Sequence, residues 1–102
     1  MWVKIWAQLL DKTVIIDGEP RLVYGLADFH CRPSRKGMGT HALRAFEDMA
    51  KQDHKYCIVG FCDTEEILQF YLKAGYHYQF VYQNKYLFTS IPVENIEVME
   101  VW

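Results

Sequence analysis

Residues 2–10 are mostly apolar, interrupted by Lys4 and Gln8, and residues 13–16 are β-branched throughout. Branched and aromatic side chains suit a pleated, half-buried surface, so both stretches read as strand. Asp17-Gly18-Glu19-Pro20 follows as a turn signal, because Asp and Gly tolerate the backbone of a tight turn. Residues 22–31 read as a second long strand, with Gly25 as the place for a bulge. The two strands are expected to form a hairpin around Asp17-Gly18.

The period then changes. Pro33-Ser34 stops the strand, and Gly37-Met38-Gly39-Thr40 opens a helix. Its apolar positions, Met38, Ala42, Leu43, Phe46, Met49 and Ala50, make one stripe, with Arg44, Glu47, Asp48 and Lys51 on the wet side. Residues 56–61 form a short run with few polar members, as a strand buried on both faces requires. Asp63 and Glu66 have the spacing of a capping box and start a second helix. Ile67, Phe70, Tyr71 and Ala74 form its apolar face, and Gly75 stands where a C-terminal cap belongs. Residues 76–83 and 86–90 read as strands joined by an Asn84-Lys85 turn, Pro92 breaks the second, and residues 93–102 alternate apolar and acidic positions like a final edge strand. The order β-β-α-β-α-β-β, with this last β, implies an α/β (α+β) chain. Its mixed sheet is antiparallel at both ends and parallel where a helix joins two strands.

Composition narrows the classes. The 102 residues have the size of one small domain, and a hydrophobic fraction of 51% excludes a disordered chain. The formal net charge of −2 lacks the basic excess of a nucleic-acid binder. Basic density is local, at Arg32, Arg35 and Lys36, which suits one small anion. Cys31, Cys57 and Cys62 make an odd count without zinc spacing and read as free thiols of a reducing compartment. No apolar run approaches the ~20 residues of a membrane span, and the N-terminal residues lack signal-peptide architecture. A cytoplasmic protein is expected, with no metal: His41, His54 and His77 have no ligand spacing.

The sharpest chemical signal is Arg35-Lys36-Gly37-Met38-Gly39-Thr40, between a strand and a helix. Glycines let backbone approach a ligand closely. The first amides of a helix lack internal partners, and with the helix dipole they suit a pyrophosphate. Arg35 and Lys36 add positive charge, and Thr40 adds a hydroxyl. The alternative is a tight turn flanked by solvated charges. The segment is neither a Walker loop nor a complete dinucleotide fingerprint.

This loop, together with Phe70-Tyr71-Leu72-Lys73-Ala74-Gly75-Tyr76 on the second helix, resembles the two motifs of GNAT N-acetyltransferases, in the same order and at a similar separation. The resemblance covers roughly residues 5 to 83 and implies a GNAT acyl-CoA N-acyltransferase fold with acetyl-coenzyme A as cosubstrate. It implies that the amides from Arg35 to Thr40, through Lys36, Gly37, Met38 and Gly39, hold the pyrophosphate. The strand backbone from Phe29 to Cys31 would pair with the pantetheine arm. Tyr71 would be the general acid for the leaving thiolate, and Gln69 and Lys73 would lie near the outer parts of the cofactor. The acceptor would be a primary amine of a small molecule.

The pattern also departs from the family. The usual base position falls on Gly25, Leu26 or Ala27; Asp28 is the nearest acid, and His30 shares its face. In a regular strand Asp28 points away from Ala27 and Phe29. Pro33 stands closer to Gly37 than is usual. The chain starts near the family's third strand, so the first strand and two acceptor-gating helices are not expected, and a homodimer or another chain would complete the acceptor side. A finer likeness is to aminoglycoside 2′-N-acetyltransferases, through Leu22-Val23-Tyr24, Lys55-Tyr56-Cys57-Ile58-Val59-Gly60 and Glu100-Val101-Trp102. It implies that Glu100 and Trp102 contact the acceptor; the alternative is an edge strand kept from aggregating by its acids. Three functions stay open: an N-acetyltransferase, a non-catalytic coenzyme A-binding module, and a scaffold whose aromatics serve an interface.

Overall fold

The computed structural model describes residues 4–32 and 37–102. It contains β1 (Lys4–Ile16), β2 (Glu19–Arg32), α1 (Met38–Gln52), β3 (Ile58–Cys62), α2 (Glu65–Lys73), β4 (His77–Tyr82), β5 (Lys85–Thr89) and β6 (Ile96–Glu97). The six strands form one mixed sheet in the order β4-β5-β3-β2-β1-β6. β2 and β3 are parallel, and the other neighbouring pairs are antiparallel.

Two hairpins set the registers. Asp17 and Gly18 both have positive φ, the conformation that lets a two-residue loop follow the right-handed twist of its strands. The result pairs Ile16 with Glu19 and continues to Lys4 against Arg32. Residues 4–10 and 13–16 are therefore parts of one strand. Gln83 and Asn84, also at positive φ, close the β4–β5 hairpin, so that turn begins one residue before the Asn84-Lys85 expected from sequence.

Both helices pack on one face of the sheet. Leu26, Leu43, Ile58, Leu68, Tyr71 and Phe88 are buried together there. The opposite face buries Val14, Ile16, Val23, Val59, Leu87 and Ile96, and is covered by Ile91, Val93, Val98 and Trp102 of the C-terminal segment. Ile58 and Val59 belong to different faces, which is why β3 reads as an unbroken apolar run. The expected strand over residues 93–102 is reduced to Ile96–Glu97, paired with Ile15 and Ile16. The rest lies over the sheet face, because its apolar residues are needed as a lid. Asp17 grips this segment: Oδ1 accepts from the amides of Glu94 and Asn95 at 3.1 and 2.9 Å.

The helix termini correct two expectations. Thr64 caps α2, its Oγ1 accepting from the Ile67 amide at 3.1 Å, while Asp63 pairs with Lys85. At the other end Tyr76 N–H bonds the Tyr71 carbonyl and Gly75 N–H bonds that of Leu72, both at 3.0 Å, with Gly75 at φ 96°. This is the expected left-handed glycine cap. The buried side of α2 is Leu68 and Tyr71, with Ile67 exposed. Met49 of α1 is likewise exposed.

Replacing Thr64 by Ala should cost about 1 kcal/mol in urea denaturation, as lost helix caps do. Asp63→Ala should cost less, because an exposed ion pair contributes ~0–1 kcal/mol. A second expectation concerns the thiols. Burial pushes Cys57 up to about 12 and Cys62 up to about 11. An unfolded chain ionises its thiols near pH ~8.5, so the folded state holds their protons longer. Stability is complete below that pH and should fall as pH rises toward 11–12. Urea midpoints between pH 8 and pH 11 check this, and the decline should shrink in Cys57→Ala.

Candidate functional site

The site begins with a break in strand pairing. Parallel pairing of β2 with β3 joins Tyr24, Gly25 and Leu26 to Ile58, Val59 and Gly60. Beyond Leu26 the ladder with β3 ends, and β2 continues against β1. The register of β1 against β2 shifts there: Gln8 faces Ala27, Trp6 faces His30, and Asp28 and Phe29 both stand opposite Ala7. This is a bulge on β2, and Asp28 carries its left-handed backbone at φ 51°. Bulges bend and twist the strand that contains them, and Asp tolerates this conformation better than most residues.

The bulge lies at Asp28, not at Gly25. Gly25 has another cause: a Cβ there would stand 2.6 Å from Trp102 Nε1, so the glycine admits the indole to the sheet. The bulge also overturns the face expected for Asp28. Leu26 and Phe29 pack in the same helix-side cluster although three residues apart, which period-two alternation forbids. Ala27 and Phe29 therefore do not share a face. Asp28 is exposed within the bulge, and His30 lies beside Trp6, ring centroids 4.7 Å apart.

Two cavities open where the strands part. The larger, about 970 Å³, lies between α1 and α2 and is lined by Phe29, Cys31, Gly37, Gly39, Thr40 and Tyr71, among others. The smaller, about 400 Å³, is lined by Asp28, Phe29, His30, Phe61, Tyr71 and Trp102, among others. Phe29, Ile67 and Tyr71 belong to both linings. Most sequence-predicted residues thus converge. Met38 lies outside both linings and Arg35 and Lys36 lie outside the described residues. Lys73 lines the larger groove, while Gln69 is exposed and not part of it. Glu100 belongs to neither cavity; it pairs with Lys12 at 2.6 Å.

The start of α1 faces the larger groove. Gly37 precedes the helix at φ 90° and supplies no side-chain cap, and the first turn contains no acid. Among the described residues no side chain caps the early amides, an arrangement that suits an outside acceptor. The glycines have internal reasons too. Gly37 adopts a backbone that other L-residues rarely take. A Cβ on Gly39 would stand 2.8 Å from Phe70 Cζ, so Gly39 lets α1 lie against α2.

Tyr71 is buried and stacks on Phe88 at 4.0 Å between centroids. Phe70, Tyr76 and Phe29 surround it. Burial raises its phenol well above the ordinary value, and Cys62 adds to the shift. The group stays a protonated donor across the neutral range.

Sequence reasoning missed five residues of the larger lining: His41, Arg44, Glu66, Ile67 and Phe70. Ile67, expected in the core, is exposed at the groove. His41 and Arg44 stand three apart on α1, a signal that they share a helix face. Arg44 is held by Glu47, at 2.7 Å, and by the carbonyl of Ala74.

Among the described residues no group of His, Cys, Asp and Glu is placed to hold a metal ion. Nor is any helix among them long and apolar enough to cross a membrane. Comparison with family models, curated proteins and solved structures finds no match to this chain.

Proposed function

We propose that this chain is a GNAT-like N-acetyltransferase that binds acetyl-coenzyme A in the groove between α1 and α2 and transfers its acetyl group to a primary amine of a small molecule. The observation that carries the reading is the convergence, at one parting of parallel strands, of a strand edge free of β3, a helix start with uncapped amides, and a buried phenol. A strand edge parted from its neighbour pairs with the amides of an extended ligand, as in strand addition. Uncapped helix amides accept a pyrophosphate. The apolar side chains of Phe29, Ile67 and Phe70 along the groove suit a thin aliphatic arm.

In this reading the Phe29–Cys31 backbone aligns the pantetheine arm, and the amides of Gly37 to Thr40 hold the pyrophosphate. The thioester sits near Tyr71, where the two cavities meet. The acceptor enters by the smaller cavity. Its nitrogen lone pair attacks the thioester carbon, the C–S bond breaks, and the departing sulfur takes the Tyr71 proton. The amine proton leaves to water or to a base, for which Asp28 and His30 line the acceptor cavity. Burial raises the phenol, but the same dry surroundings also make the thiolate more basic, so the transfer stays matched.

A second reading, a non-catalytic coenzyme A-binding module, is favoured by the engagement of Glu100 with Lys12, which occupies a carboxylate otherwise suited to a cationic acceptor.

Isothermal titration should find acetyl-coenzyme A binding on the order of micromolar Kd; a folded chain that binds none would sink both readings. Tyr71→Phe keeps the ring that packs on Phe88. It should lower kcat about a hundredfold, within the range of general acid catalysis, with Kd unchanged. Equal loss of binding and turnover would remove the acid role. Asp28→Asn tolerates the same bulge backbone. If its pH–rate profile loses the acidic limb, Asp28 is the base; an unaltered profile assigns that step to His30 or water.

A further inference from the structure

Three basic side chains that the proposed chemistry does not use line the same groove: His41, Arg44 and Lys73. Three contacts place them together. Gly39 lies against Phe70, Arg44 donates to the Ala74 carbonyl, and Tyr76 donates to Glu47 at 2.9 Å. The partners rise in step, so α1 and α2 run side by side in the same direction. The start of α1 therefore faces the middle of α2, while His41 and Arg44 face its last turn, where Lys73 stands. Arg44 lies about 9 Å further along the axis than the first amides of α1. This collar is a separate place from the helix start.

Its chemistry favours an anion. Arg44 is fixed by Glu47 and the Ala74 carbonyl, yet has donors left over. Among the described residues, neither His41 nor Lys73 has an ion-pair partner. Glu66, the acid in the described lining, stands in the first turn of α2. That is about 10 Å along the axis from Lys73. Three basic side chains on an open surface would be a solvated face. These border a groove whose other end already suits a phosphate, and Arg44 is held in place.

We infer that His41, Arg44 and Lys73 form a second anion subsite, which takes a terminal phosphomonoester carried on the outer end of the groove ligand. This rests on the coenzyme reading, and it makes the chain selective for coenzyme A over its 3′-dephospho form. A phosphomonoester carries close to two charges at neutral pH and several acceptor oxygens, which donors on these three lining residues suit.

Isothermal titration of coenzyme A and 3′-dephospho-coenzyme A into the full chain tests this. The unaltered protein should bind the phosphorylated ligand about tenfold more tightly, the effect of one strong charge-assisted contact. Lys73→Gln, at an exposed position that leaves the fold intact, should remove most of that ratio by weakening coenzyme A alone. His41→Gln should act in the same direction. Raised salt should narrow the ratio, because exposed charges are screened. Equal affinity for the two ligands would overturn the subsite while leaving the coenzyme reading standing. So would a Lys73→Gln variant that weakens both alike. Failure to bind either ligand would overturn both.

Discussion

Parallel pairing between β2 and β3 lasts for three residue pairs, and the site depends on its ending there. A parallel pair stays joined only while both strands keep one direction. The bulge at Asp28 bends β2, still hydrogen-bonded to β1, away from β3. The strand edge along the groove arises from that separation. The bulge also turns Phe29 onto the helix face, where it meets Phe46, Phe70 and Tyr71.

The groove is walled by the core. Tyr71 stacks on Phe88 and is packed by Tyr76, and the same ring lines both cavities. Packing at crystal-like density holds its position, so the phenol needs no dedicated hydrogen bond for orientation. The helix pair is set with similar economy. Gly39 admits Phe70, Arg44 caps the end of α2 through the Ala74 carbonyl, and Glu47 receives both Arg44 and the Tyr76 hydroxyl. Burial and Glu47 together raise the Tyr76 phenol far above its ordinary value, so it acts as a fixed donor in the brace.

The opposite face of the sheet is closed by chain rather than helix. The Asp17 turn holds Glu94 and Asn95, and Ile96 adds to the core. Trp102 settles over Gly25 and against Phe61, at 5.0 Å between centroids. Lys12 lies 5.6 Å from the Trp102 ring and pairs with Glu100. The C-terminal segment thereby shapes the smaller cavity, whose wall includes Val101 and Trp102. In this way a turn residue far away in sequence helps to position the wall of the site.

Much was legible in the chain itself because the deciding forces are local. Asp17-Gly18 closes a hairpin whatever surrounds it, Gly75 ends α2 because only a left-handed residue fits, and the apolar run of β3 announces burial on both faces. Gly37-Met38-Gly39-Thr40 opens a helix with uncapped amides, and Tyr71 stands on the buried side of the next helix. Other features had no local signal. Asp28 as a bulge depends on its pairing with Ala7, and Gly25 on an indole that arrives from the far end of the chain. Arg44 read as solvated because its partners, Ala74 and the groove, lie on another helix. Turns, caps and periodicity were set by neighbours in sequence, whereas the opening of the sheet and the charges around it were decided by contacts between distant segments, which only the folded chain brings together.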